Sequence, residues 1–97
     1  MCLADPPRIL TQFPQEETWN EGDIKDLTCD SAGKPKPRVT WKKGDSIVKQ
    51  GRRTAKLDFP SVSYRDEGLY TCIAENVGGR KLKQVKINVL CKHHMLA

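Results

Sequence analysis

Ninety-seven residues are one domain's worth of chain, since a globular unit typically takes about 100 to 150. With 37% hydrophobic and 30% charged residues, the core is thin for its surface and extra bracing is expected. No run approaches the roughly 20 apolar residues of a bilayer crossing, and none resembles a signal peptide's apolar core. The only histidines, His93 and His94, sit in the last five residues, which argues against imidazole catalysis.

Taken in chain order, short runs alternate in polarity as half-buried strands do, and no helical apolar repeat persists. Pro6-Pro7 forbids a helical start, and Arg8-Ile9-Leu10 reads as an edge strand beyond it. Phe13-Pro14 reads as a switch of that strand between sheets. Lys25 to Cys29 alternates and leads into a turn-forming stretch, Ser31 to Pro37. Val39-Thr40-Trp41 alternates again and is stopped by Lys43-Gly44-Asp45. Leu57-Asp58-Phe59, Leu69 to Ala74, and Val85 to Val89 after the Gly78-Gly79 turn complete the series. Several short strands separated by turn signals predict an all-β antiparallel sandwich or barrel.

The charges are unevenly distributed along the chain. Residues 1–31 hold seven acids against Arg8 and Lys25, whereas residues 32–97 hold fifteen bases against five acids, within an overall +5. Such asymmetry suits an anionic partner for the second part; it equally suits a solvated lysine-rich surface.

Cys29 and Cys72 lie 43 residues apart, Trp41 follows the first by 12, and Tyr70 precedes the second by two, within Asp66-Glu67-Gly68-Leu69-Tyr70-Thr71-Cys72. Glu21-Gly22-Asp23, Gly33-Lys34-Pro35, Leu57, Phe59, Val62 and Ala74-Glu75-Asn76-Val77-Gly78 stand in matching order around them. From about Pro7 to Val89 the chain resembles the intermediate-set immunoglobulin domains, as in cell-adhesion molecules, receptor ectodomains and titin-like muscle proteins. The resemblance implies a Greek-key β-sandwich over residues 7–90, with an extension at 1–6 and a tail at 91–97. It further implies a Cys29–Cys72 disulfide between the sheets, Trp41 packed on it, Leu57 and Gly68 as core-signature positions, and a tyrosine corner joining the Tyr70 hydroxyl to backbone near Asp66. Asp66 is also expected to pair with a base such as Arg53.

Four features depart from the family pattern. Trp41 to Leu57 spans only 16 residues, so one edge connection must be abbreviated. Lys25 shares parity with Leu27 and Cys29, with its stem packed and its amine in solvent. No Asn-x-Ser/Thr glycosylation site occurs. Cys2 and Cys91 fall outside the matched core. In the family's topology the first strand begins at one end of the sandwich and the last ends at the other. Strands of about ten residues separate these ends by roughly 30 Å, while a disulfide needs α-carbons within about 7 Å. Mutual pairing is therefore not expected, leaving them as thiols or as links to other domains or copies.

Nothing supplies a nucleophile with its base, a phosphate-cradling loop or paired carboxylates in a cleft, so neither an enzyme nor a cofactor is expected. Cys91-Lys92-His93-His94 lacks the second cluster of a structural zinc site, so no metal is expected. Nucleic acid is disfavoured because Trp41 and Tyr70 are committed to the core.

Arg38, Lys42 and Lys86 have the parity to point outward from one sheet, flanking Ile73 and Glu75, while Arg80, Lys81 and Lys83 crowd the hairpin before the last strand. These six form the candidate basic face, suited to heparan sulfate or an acidic protein surface. The sandwich is expected to be electrically lopsided between its sheets, with the acidic first third mainly on the other. Lys43-Gly44-Asp45 resembles a tripeptide of integrin ligands and is equally ordinary turn chemistry. Trp19 reads as a rim-of-core residue, and as an interface anchor only if exposed. The leading expectation is an extracellular or cell-surface domain of a larger adhesion or receptor protein, recognising a protein partner homophilically or heterophilically. The alternative is a cytoplasmic, sarcomeric scaffold domain of a titin-like protein.

Overall fold

The computed structural model describes residues 4–91; Cys2, His93 and His94 lie outside them. The strands are β1 (Asp5–Ile9), β2 (Glu16–Asn20), β3 (Lys25–Lys34), β4 (Arg38–Lys43), β5 (Ser46–Arg52), β6 (Thr54–Phe59), β7 (Gly68–Asn76) and β8 (Gly79–Leu90), with one 3-10 turn at Tyr64–Asp66. A three-stranded sheet in the order β1-β3-β6 packs on a five-stranded sheet in the order β2-β8-β7-β4-β5. All pairings are antiparallel except β2 with β8.

The core follows the strand alternation. Leu27 and Cys29 on β3, Val39 and Trp41 on β4, Tyr70 and Cys72 on β7, and Val85 and Ile87 on β8 are all buried. Three edge-to-face ring pairs link the layers: Phe13 with Trp41 at 5.4 Å, Trp19 with Phe59 at 5.0 Å, and Phe59 with Tyr70 at 5.7 Å. Such contacts add about 0.5–1.5 kcal/mol each beyond area burial. Phe13 lies in the segment where the chain leaves the three-stranded sheet at β1 and enters the five-stranded one at β2.

A four-cornered arrangement sits at the centre. Cys29 is paired across the ladder with Ala55, and Trp41 with Cys72. The Cys29–Cys72 disulfide closes one gap between the sheets. The Trp41 indole closes the other, its Nε1 donating to the Ala55 carbonyl at 3.1 Å. The small side chain at Ala55 leaves room for the indole.

Several details differ from the sequence expectation. β1 starts at Asp5 and contains both prolines, which is tolerated because β1 is an edge strand. β3 runs on to Lys34, well into the stretch read as a turn, and the Lys34–Pro35 peptide is cis. β5 has no counterpart in the sequence reading; six of its seven residues are exposed, so neither face imposes an apolar alternation. The abbreviated connection falls after β5. Arg53 alone separates β5 from β6, although the two strands belong to different sheets, and β6 is left as the edge of its own.

That crossing is tight. A Cβ on Gly51 would lie 2.1 Å from the Thr54 carbonyl oxygen, so only glycine fits. Arg53 adopts φ 68°, a left-handed conformation costing a non-glycine residue roughly 1–2 kcal/mol. Its backbone is pinned, with its N–H donating to the Pro37 carbonyl at 2.7 Å and its own carbonyl accepting from Ser31 N–H and Oγ, both at 2.8 Å. Asp66 does not pair with Arg53: its carboxylate accepts from Ser63 N–H at 2.8 Å and closes a capping box over the 3-10 turn. Between β4 and β5, Gly44 at φ 58° occupies the first position of a two-residue turn, where such hairpins favour glycine.

Gly51→Ala is expected to destabilise the fold by about 3 kcal/mol through backbone overpacking, measured as the shift of the urea unfolding midpoint; an unchanged midpoint would show that the crossing can relax.

Candidate functional site

The outward face of the five-stranded sheet is built from register. At one level Arg52, Arg38, Glu75 and Arg80 lie side by side on β5, β4, β7 and β8. The next level holds Gln50, Thr40, Ile73 and Leu82, and the one below it Ile47, Lys42, Thr71 and Gln84. Leu69 then stands beside Lys86, which pairs in turn with Glu16 on β2. Two amides tie the polar positions across strands: Gln50 Nε2 donates to Thr40 Oγ1 at 3.2 Å and Gln84 Nε2 to Thr71 Oγ1 at 3.3 Å. Ile73 is covered by its neighbours, while Leu82, Leu69 and Ile47 are about half exposed. The face therefore sets Leu82 beside Ile73, with Ile47 and Leu69 further along and Thr40, Thr71 and Lys42 between them, while Arg38, Arg80 and Lys86 stand towards its ends.

Lys81 and Lys83 do not belong to this face. They pair with Ala74 and Cys72, whose side chains are buried, and so have core-facing parity. Being exposed, they reach solvent at the flank, above the stretch of β8 that β2 covers. The expected charge imbalance falls as follows: the five-stranded sheet carries nine bases against three acids, while the three-stranded sheet balances four against four. It is neutral rather than acidic.

A second basic group, not anticipated from sequence, gathers at the end of the sandwich where β3 turns into β4 and β5 crosses to β6. Two open grooves meet there. One, of about 580 Å³, is lined by Lys36, Arg38, Arg52, Glu75 and Val77 among others; its neighbour, of about 850 Å³, is lined by Asp5, Arg8, Lys34, Lys36 and Arg53. Pro35 and Lys36 border both. Asn76 holds this end together, its Nδ2 donating to the Asp5 carbonyl at 2.7 Å and the Pro35 carbonyl at 3.0 Å while its Oδ1 accepts from Gly78 N–H at 2.7 Å. One side chain thus joins the amino-terminal strand, the β3–β4 turn and the β7–β8 hairpin.

At the opposite end the Tyr70 hydroxyl donates to the Asp66 carbonyl at 2.5 Å. Burial, and secondarily the Asp66 charge, push the Tyr70 phenol up to about 12. Lys43 folds back onto the same corner: its amine donates to the Arg65 carbonyl and lies 5.8 Å from the Tyr70 ring centroid. Of Lys43-Gly44-Asp45, only Gly44 and Asp45 are well exposed. Trp19 is 2% exposed and belongs to the core, its Nε1 unpartnered among the described residues; it is no surface anchor. Leu57 is half-buried on β6, and Gly68 opens β7. Cys91 is exposed at the end of the described chain. Among the described residues no group of three or more His, Cys, Asp or Glu is placed to hold a metal, and no helix is long and apolar enough to cross a membrane.

The immunoglobulin-domain family model matches residues 6–76, and the chain belongs to that family. Contactin-2 of Rattus norvegicus is 41% identical over 95 residues, covering 92% of this chain and 9% of that protein. Receptor-type tyrosine-protein phosphatase S of Gallus gallus is 32% identical over 99 residues, covering 92% of this chain and 6% of that protein. The chain thus spans less than a tenth of the length of these relatives. Titin domain M7 superposes with a TM-score of 0.79 at 22% identity, over 93% of this chain and 99% of that one, a likeness of fold alone.

Two outcomes test this geometry. Asn76→Ala is expected to cost about 2 kcal/mol in urea unfolding, with increased amide exchange around Pro35 and Asp5; exchange that stays unchanged there would contradict the clamp. In a spectrophotometric titration, one of the two tyrosines should ionise only at about pH 12, and that step should vanish in Tyr70→Phe. The raised value holds the phenol neutral in the folded state, so its contribution to stability is complete below pH 10 and is lost as pH rises through 12.

Proposed function

We propose that this immunoglobulin domain is a non-enzymatic, extracellular recognition module of a larger adhesion or receptor protein. The observation that carries the reading is the outward face of the five-stranded sheet: half-exposed Leu82 stands beside covered Ile73, with Leu69 and Ile47 further along, Lys42 among them and Arg38, Arg80 and Lys86 as a basic rim. Apolar side chains that exclude water supply affinity to a protein contact, and a charged rim supplies attraction and register. The Cys29–Cys72 disulfide supports an oxidising compartment, and the similarity to a receptor phosphatase and to contactin-2 supports membership of a multidomain surface protein. The basic rim favours an acidic partner, and the excess of bases supports auxiliary binding to heparan sulfate. The competing reading, a titin-like intracellular scaffold, has the same fold and differs in its dependence on oxidation.

Beads coated with the oxidised domain should adhere to cells bearing the partner. Leu82→Asp combined with Ile47→Asp should reduce adhesion by about fivefold or more, the effect of removing a contact worth about 1 kcal/mol. Adhesion unaffected by that pair, with the fold retained by circular dichroism, would remove the sheet face from the account.

A further inference from the structure

A dense group of basic residues lies at the sandwich end and shares only Arg38 and Arg52 with the sheet face. From the geometry of the sandwich end we infer a binding site for a sulfated glycosaminoglycan, formed by Lys34, Lys36, Arg38, Arg52 and Arg53. The inference rests on the heparan sulfate part of the function proposed above and gives it a location. Three observations carry it.

The first is shape and charge together. Arg38 and Arg52 are ladder partners on adjacent strands, and Lys36 stands on the ridge common to both grooves. Lys34 and Arg53 line the second groove. All five are exposed, and they form a bent track across the end of the sandwich, with Asp5 and Glu75 as the acids along it. A track that continues over a ridge suits a linear polyanion with charges at regular intervals better than one acidic side chain. Guanidinium groups pair with oxyanions such as sulfate in bidentate fashion.

The second is the conformation of Arg53. Glycine or asparagine occupies a left-handed position at lower cost, yet an arginine stands at φ 68°. The backbone hydrogen bonds on either side of it fix that conformation without needing its side chain. The arginine side chain therefore adds nothing to the crossing that glycine would lack, and what it does contribute is charge in the groove.

The third is what the site omits. Val77, 83% exposed, is the only exposed large hydrophobic side chain on either groove among the described residues, and no aromatic ring lines them. Stacking platforms for nucleic acid bases are therefore missing. Asn76, donating to the Pro35 carbonyl, holds in place the β3–β4 turn that carries Lys36 and follows Lys34.

The test is the affinity of the folded domain for a heparin octasaccharide at physiological salt, with matched charge reversals. Lys36→Glu with Arg52→Glu should weaken binding about tenfold or more. Lys42→Glu with Lys86→Glu, the same charge change on the sheet face, should weaken it less than about threefold. Arg53→Gly should weaken binding without lowering the urea midpoint, separating the side chain's role from the fold. Equal loss in the two double variants would reduce the site to diffuse charge and overturn the inference, as would greater loss in the face variant; either result leaves heparan sulfate binding itself standing. No binding by the parent domain would remove the glycan reading along with the site. Competition by poly-glutamate as effective as that by heparin at equal charge would overturn the ligand class in favour of an acidic protein.

Discussion

The structure depends on one cross-sheet square. Cys29 and Ala55 are neighbours in one sheet, Trp41 and Cys72 in the other, and the two gaps are closed by a covalent bond and by an indole hydrogen bond. Cross-linking residues 43 apart removes loop entropy from the unfolded chain worth roughly 4 kcal/mol. That is a large share of the ~5–15 kcal/mol net stability of an ordinary domain. A chain with 37% hydrophobic residues has few other sources of comparable size. The buried Trp41 supplies apolar area at the same place, and Phe13 covers its edge.

The surface features follow from how the chain gets around that square. Because β5 passes into β6 through a single residue, the chain has no room for another strand beside β6, and Gly51 and Arg53 absorb the strain. The same short crossing brings Arg52 and Arg53 to the end of the sandwich where the β3–β4 turn presents Lys34 and Lys36. Charges drawn from separate parts of the sequence thus become one track. At the other end, Tyr70, Asp66 and Lys43 form a corner stabilised by burial and hydrogen bonds, while the end clamped by Asn76 is basic and open.

The legible part of the sequence was the part under burial. Cys29, Trp41, Tyr70 and Cys72 stand at spacings that the square and the tyrosine corner require, and the alternation of β4, β7 and β8 records which side faces the core. β5 left no such record, because Ser46–Arg52 is exposed nearly throughout. Gly33 and Pro35 read as turn residues, although β3 carries on to Lys34. Of the candidate basic face, the parity of Arg38, Lys42 and Lys86 was readable from buried neighbours. Lys81 and Lys83 are near them only in sequence, and the ladder places the two opposite Ala74 and Cys72. The groove at the sandwich end was not legible at all, since nothing in a linear pattern says that residues 34–38 and 52–53 meet. The left-handed arginine was hidden for the same reason, as its conformation is imposed by a crossing between sheets.

An oxidised Cys29–Cys72 square sustains the fold, and the proposed extracellular role requires an oxidising compartment. Urea unfolding with and without a strong reductant, together with a thiol count on the folded protein, tests it most directly. Cys29 and Cys72 should be unreactive towards thiol reagents before reduction. Reduction should then remove about 4 kcal/mol of stability. Reactive thiols at both positions in the protein as isolated from an oxidising compartment, with an unfolding curve that reductant leaves in place, would contradict it and favour the intracellular scaffold.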